Sequence, residues 1–143
     1  MRTRKRYLDW LTAGRARWQR ARVTEYRIQT HFDCFCTYAP GQLREPKPLL
    51  HVRDNEIIAR EPGNPLTMPA DTTLTVDRLF DFIERDADDI GRRIKKLILD
   101  PTLGFPRQYS AETANIPDAW IILTVESFSV ARSVKPGHSK RHR

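Results

Sequence analysis

Between Val23 and Tyr38 the chain alternates. Tyr26, Ile28, Thr30, Phe32, Cys34, Cys36 and Tyr38 hold the even positions, while Glu25, Arg27, Gln29, His31, Asp33, Phe35 and Thr37 hold the odd ones. A period of two places each set on its own face of an extended chain. The segment therefore predicts a long β-strand with one face on a core and the other toward water. A strand of this kind excludes an all-helical fold and needs partner strands and a covering layer.

The flanking segments supply both. Tyr7, Leu11, Gly14, Trp18 and Ala21 recur at steps of three and four, with Trp10 beside them and arginines on the other faces, which predicts a helix. Ala39–Pro48 holds three prolines and a glycine and reads as a loop. Leu49–Arg60 reads as a hairpin, with Asp54-Asn55 supplying the two positive-φ positions of its turn. Glu61–Thr73 collects Pro62, Pro65 and Pro69 and reads as irregular. Thr75 then caps a second helix whose apolar face is Val76, Leu79, Phe80, Ile83, Ala87 and Ile90, with Gly91 as its stop. Three strands follow, near Arg93–Leu99, Arg107–Ala111 and Ala119–Val130. In the last, Ile121, Leu123 and Val125 share one face, and Trp120, Ile122 and Phe128 the other. The order α-βββ-α-βββ predicts the α+β class: an antiparallel sheet of five to six strands with two helices on one face. Residues 1–132 read as a single domain, and the polar, basic stretch 133–143 as a disordered tail.

The net charge of +7 is unevenly spread. Residues 1–22 carry eight Lys/Arg against Asp9 alone, and 131–143 carry five against no acid. Residues 23–130 hold 12 basic and 17 acidic side chains. The body is thus acidic and only the ends are basic. The ends allow a weak polyanion contact but do not make the body a nucleic-acid reader. No apolar run approaches the ~20 residues of a membrane helix. Asp9 and Arg15 interrupt the stretch where a secretory signal would need apolar residues, so the sequence reads either as cytoplasmic or as a piece of a longer precursor.

Few constellations carry chemistry. Cys34 and Cys36 point the same way on a regular strand, toward the side of Tyr26 and Ile28. Their Cα atoms would lie roughly 6.5–7 Å apart, at the upper limit for a disulfide. Buried thiols, a structural bridge, a redox pair and a metal site all remain open for them. Against a reactive thiolate, Asp33 would raise a neighbouring thiol's pKa. His31 is expected to face away from the cysteines, so no four-ligand shell is visible in the sequence. Asp100, Pro101, Gly104, Phe105 and Pro106 specify a tight loop that joins two strands and could present Asp100 and Phe105 to a ligand. Glu112 and Asp118 flank the next turn. In a meander that turn sits on the order of 15–20 Å from Asp100, too far for the carboxylates to cooperate. Asp86–Asp89 reads as a solvated helix face. No P-loop, dinucleotide fingerprint, HExxH or Ser/His/Asp arrangement is present. No catalytic residue, metal or cofactor is expected.

Taken in order, Trp18, Tyr26, Cys34 and Cys36, Val52 with Asp54, Thr75-Val76 with Leu79-Phe80, Asp100-Pro101 with Gly104-Phe105-Pro106, and Asp118 with Phe128 form a series. The series resembles the bacterial family known as domain of unknown function 6174, over roughly residues 15–130. The chain departs from that pattern at Leu99, where the family has Tyr, at Asn55, where it has Gly, and at Ala119, where it has Glu. The resemblance implies lineage and fold, and members that are often exported or lipid-anchored. The expectation is a non-enzymatic binding or accessory module of the cell envelope with a protein or small-molecule ligand. The alternative is a thiol-dependent redox or metal-binding protein using Cys34 and Cys36.

Overall fold

The computed structural model describes residues 4–34, 48–61, 75–89, 91–114 and 116–133. Helix α1 spans Arg4–Ala21, followed by strands β1 (Val23–Cys34), β2 (Leu49–Arg53) and β3 (Glu56–Glu61). Helix α2 (Val76–Ala87) leads to β4 (Arg92–Leu99), β5 (Pro106–Thr113) and β6 (Ile116–Ser133). All neighbouring strands run antiparallel in one six-stranded sheet, ordered β3-β2-β1-β6-β5-β4. The predicted class and element order hold. The proline-rich loop, Ile90, Cys36 and the tail beyond Ser133 lie outside the described residues.

The alternation in β1 does what a period of two requires. Tyr26, Ile28 and Thr30 are buried under the helices, and Arg27 on the opposite face is exposed. The long partner β6 lies beside it, with Ile28 opposite Phe128 and Phe32 opposite Leu123. Helix α1 buries Leu11, Gly14 and Trp18, and α2 buries Val76, Leu79, Phe80, Ile83 and Ala87. The apolar stripes read from the sequence are thus the buried ones.

Helix α2 starts on two oxygens. Thr75 Oγ1 accepts from the Arg78 amide at 3.3 Å, and the buried Tyr26 hydroxyl accepts from the Val76 amide at 2.9 Å. The first is an ordinary cap. The second is a tertiary contact from β1 that satisfies another of the helix's unpaired amides. Burial, opposed by that hydrogen bond, pushes the Tyr26 hydroxyl up to about 12.

The β2–β3 turn has Asp54 at φ 50° and Asn55 at φ 66°, the left-handed pair that a two-residue hairpin turn demands. Glycine is the better residue at the second position. Asn55→Gly should therefore raise stability by about 0.5 kcal/mol, read as a higher urea midpoint at unchanged slope.

One face assignment is corrected. Phe128 sits on the core side with Leu123 and Val125, not with Trp120 and Ile122. The register steps from Gln29↔Ser127 to Thr30↔Val125, so β6 carries one extra residue, Glu126, against β1. A bulge of this kind reverses the phase of everything after it. Phe128 is thereby turned inward to stack on Phe105, with ring centroids 4.2 Å apart, and on Tyr26 at 5.4 Å.

Candidate functional site

The Asp100–Pro106 loop is turned toward the protein. Asp100 Oδ2 accepts from the Leu103 and Thr102 amides at 2.7 and 3.1 Å, and Oδ1 accepts from Arg107 Nε at 2.8 Å. Burial alone would raise its pKa. The hydrogen bonds from Leu103, Arg107 and Thr102 outweigh burial and hold the carboxyl below its usual range. Phe105 is fully buried and packs edge-on to Trp18. Pro106 is buried and opens β5, whereas Pro101 is exposed and its carbonyl accepts from Arg17.

Gly104 takes φ +86°, and its carbonyl lies where a Cβ on Gly14 would come within 2.6 Å. A Cβ on Gly104 would in turn collide with the Gly14 carbonyl. Two glycines, one in α1 and one in the loop, thus let two backbones touch. Leu99 packs beside Gly14 at the same place.

The structure separates the remaining candidates from this loop. Cys34 pairs through its backbone with Ile121, at the end of the sheet where β6 begins. Asp118 lies in the first residues of β6. The loop instead joins β4 to the far end of β5, so Asp100 and Asp118 sit at opposite ends of that strand, as the meander requires. The thiol of Cys34, all of Cys36 and the carboxylate of Asp118 lie outside the described residues. Among the described residues no three His, Cys, Asp or Glu side chains converge as a metal site.

The acidic stretch of α2 needs a correction. Asp88 and Asp89 are exposed, but Asp86 is not a solvated side chain. It takes a bidentate pair from Arg92, at 2.7 and 3.0 Å, and a 2.6 Å hydrogen bond from the Tyr109 hydroxyl. Arg92 also donates to Thr113 Oγ1 at 3.0 Å. Burial first, then the Asp86 hydrogen bond, raises the Tyr109 hydroxyl far above the usual tyrosine range. The helical spacing of Asp86 gave no sign of this, because the arginine that meets it comes from the next strand.

The helices cover one face of the sheet; the other face carries the features that sequence reasoning passed over. Glu25 is 8% exposed despite its odd position in β1. His51 Nε2 lies 2.5 Å from its Oε2, and Arg53 and Arg132 approach its Oε1 at 3.5 and 3.7 Å. The His51 hydrogen bond, reinforced by Arg53, lowers the Glu25 pKa against an opposing effect of burial. Beside it Arg27, Leu49, His51, Ala59 and Glu61 line a shallow depression of about 50 Å³. Further across, Ile122 and Ile98 are 38% and 45% exposed and Trp120 is half-buried, with Gln108, Ser110 and Thr124 on the same face between them. The available sequence signal was the apolar set Trp120 and Ile122 on the side away from the core.

These ionisations fix the pH profile. Glu25 and Asp100 both have folded pKa values below their unfolded ones, so their contributions are complete above the ordinary carboxylate pKa of about 4 and are lost as pH falls through the folded values. Tyr26 and Tyr109 are raised, so their contributions are complete below the ordinary tyrosine pKa of about 10 and fade above it. Urea midpoints should fall as pH drops below the lower limit and as it rises above the upper one. Asp100→Asn should flatten the acid limb; an unchanged limb would show that the carboxylate is no better stabilised folded than unfolded.

Residues 10–130 match the model of a family described as a family of unknown function, DUF6174. This agrees with the resemblance read from the ordered motifs. No curated protein and no solved structure matches the chain.

Proposed function

We propose that this chain, which belongs to the DUF6174 family, is a non-enzymatic binding or accessory module of the cell envelope that engages a protein partner through the sheet face that neither helix covers. The envelope assignment rests on the family resemblance. The binding surface rests on one observation: Trp120, Ile122 and Ile98 are displayed on the face that neither helix covers, with Gln108, Ser110 and Thr124 between them and Lys96 and Glu112 beside them. Aromatic and aliphatic anchors within a polar field are the pattern of an interface centre. A small-molecule ligand is the weaker choice, because the depression on this face holds about 50 Å³, where ligand pockets run to ~300 Å³ and more.

Site-specific photo-cross-linking in cells tests the reading. A cross-linking residue at position 98 or 122 should yield the same discrete adduct, one at position 84 on α2 should not, and Ile122→Asp should abolish the adduct formed from 98. Absence of an adduct from both sheet positions, or the same adduct from 84, would defeat it. The competing thiol-based reading rests on Cys34 and Cys36 alone. It predicts rapid alkylation of one thiol at neutral pH in the folded protein, whereas the binding module predicts two thiols that react only on unfolding.

A further inference from the structure

We infer that α1 carries a docking ridge for an anionic lipid surface, formed by Arg6, Trp10, Arg17 and Arg20. These residues, with Ala13 among them, recur at steps of four and three and so fall on one side of the helix. All five are exposed. Trp10 is 40% exposed, with the Arg6 guanidinium 5.7 Å from its ring centroid. The buried side of α1 (Leu11, Gly14, Trp18) faces the sheet and its loop.

The acids at α2 meet the other flank of α1. Arg15 reaches Asp81 and Glu84 of α2 at 2.7 and 3.8 Å, and Arg4 reaches Asp88 at 3.5 Å. Helical spacing places Arg4 and Arg15 on the flank opposite Arg6, Arg17 and Arg20, so the acidic α2 neutralises one flank of α1 and leaves the other basic. Asp9, the one acid of α1, borders the ridge three residues from Arg6 and is paired with Lys5 at 3.0 Å. Arg17 is held against the loop by its 3.2 Å hydrogen bond to the Pro101 carbonyl.

The shape selects the partner. The ridge is convex, since the other side of α1 is packed on the sheet, and it presents a single indole. Single-stranded nucleic acid is held in a basic groove lined by several stacking rings, and among the described residues no element projects as a groove reader of duplex DNA does. A bilayer surface fits a convex ridge: arginines lie at the level of the lipid phosphates, and an indole sits at the interface between headgroups and acyl chains. Docking through this side of α1 also leaves the uncovered sheet face accessible, and it stands whether or not that face binds a partner.

Sedimentation of the full chain with vesicles tests the inference. It should bind vesicles of equal parts phosphatidylglycerol and phosphatidylcholine, weaken as salt rises, and ignore pure phosphatidylcholine. A basic residue at the surface is worth roughly fivefold in partitioning, so Arg6→Gln/Arg17→Gln/Arg20→Gln should lose on the order of 100-fold. Trp10→Ala should weaken binding at unchanged salt dependence. Arg85→Gln/Arg93→Gln/Lys96→Gln removes the same charge elsewhere and should bind almost as the parent does. Circular dichroism melts establish that each variant is folded. The inference is overturned if the two triple variants lose binding equally or if lipid charge makes no difference. It is also overturned if a single-stranded oligonucleotide binds more tightly than the vesicles at the same salt.

Discussion

Phe105→Ala should destabilise the protein by about 3–5 kcal/mol, the range for removing a fully buried aromatic side chain. The residue is the hub of the ring cluster. It stacks on Phe128, meets Trp18 edge-on at 6.1 Å, and carries the Arg107 guanidinium on its ring at 5.1 Å. Its loss would therefore open a cavity where α1, the β4–β5 loop and β6 meet. Collapse is hindered there, because Gly14 and Gly104 already bring the two backbones into contact. Phe105→Leu should recover about half of the loss by refilling volume without the ring geometry. Urea unfolding checks both variants. A loss below about 1.5 kcal/mol for the alanine variant would mean that the cluster relaxes around the gap.

This residue also marks how far the sequence could be read. The order Asp-Pro-x-x-Gly-Phe-Pro specified a turn, and the turn is there, with Asp100 accepting two backbone amides within it. Whether Phe105 pointed outward or inward depended on α1, some ninety residues earlier in the chain, and no local pattern carries that information. Gly14 is a case of the same kind. It fell on the apolar stripe of α1, but its role is to make room for Gly104, and a close approach of two distant backbones has no one-dimensional signature. The face of Phe128 was lost to a single bulged residue, Glu126, which looks like any polar position in a strand. By contrast the hairpin turn, the Thr75 cap, the face of β1 from Tyr26 to Thr30 and the face of α2 were legible. Each rests on chemistry within a few residues: positive φ, a hydroxyl beside free amides, or a simple period.

Asp86→Ala should cost about 3–5 kcal/mol, although the residue stands in an acidic stretch of helix that resembles a solvent-facing surface. The side chains of Asp86 and Arg92 are 10% and 13% exposed. Removing the carboxylate strands the guanidinium in a nearly dry site and leaves the Tyr109 hydroxyl without its acceptor. The cost is thus chiefly that of an uncompensated buried charge, not the net worth of the pair. Replacing both partners separates these contributions. Asp86→Leu/Arg92→Met leaves no buried ion and should be far more stable than Asp86→Ala, approaching the parent. Tyr109→Phe removes only a donor and should cost about 1 kcal/mol. A double-mutant cycle in urea reads the coupling directly. If the losses from Asp86→Leu and Arg92→Met simply add in Asp86→Leu/Arg92→Met, the two side chains act independently, and the bidentate pair contributes nothing to holding the end of α2 against β4 and β5.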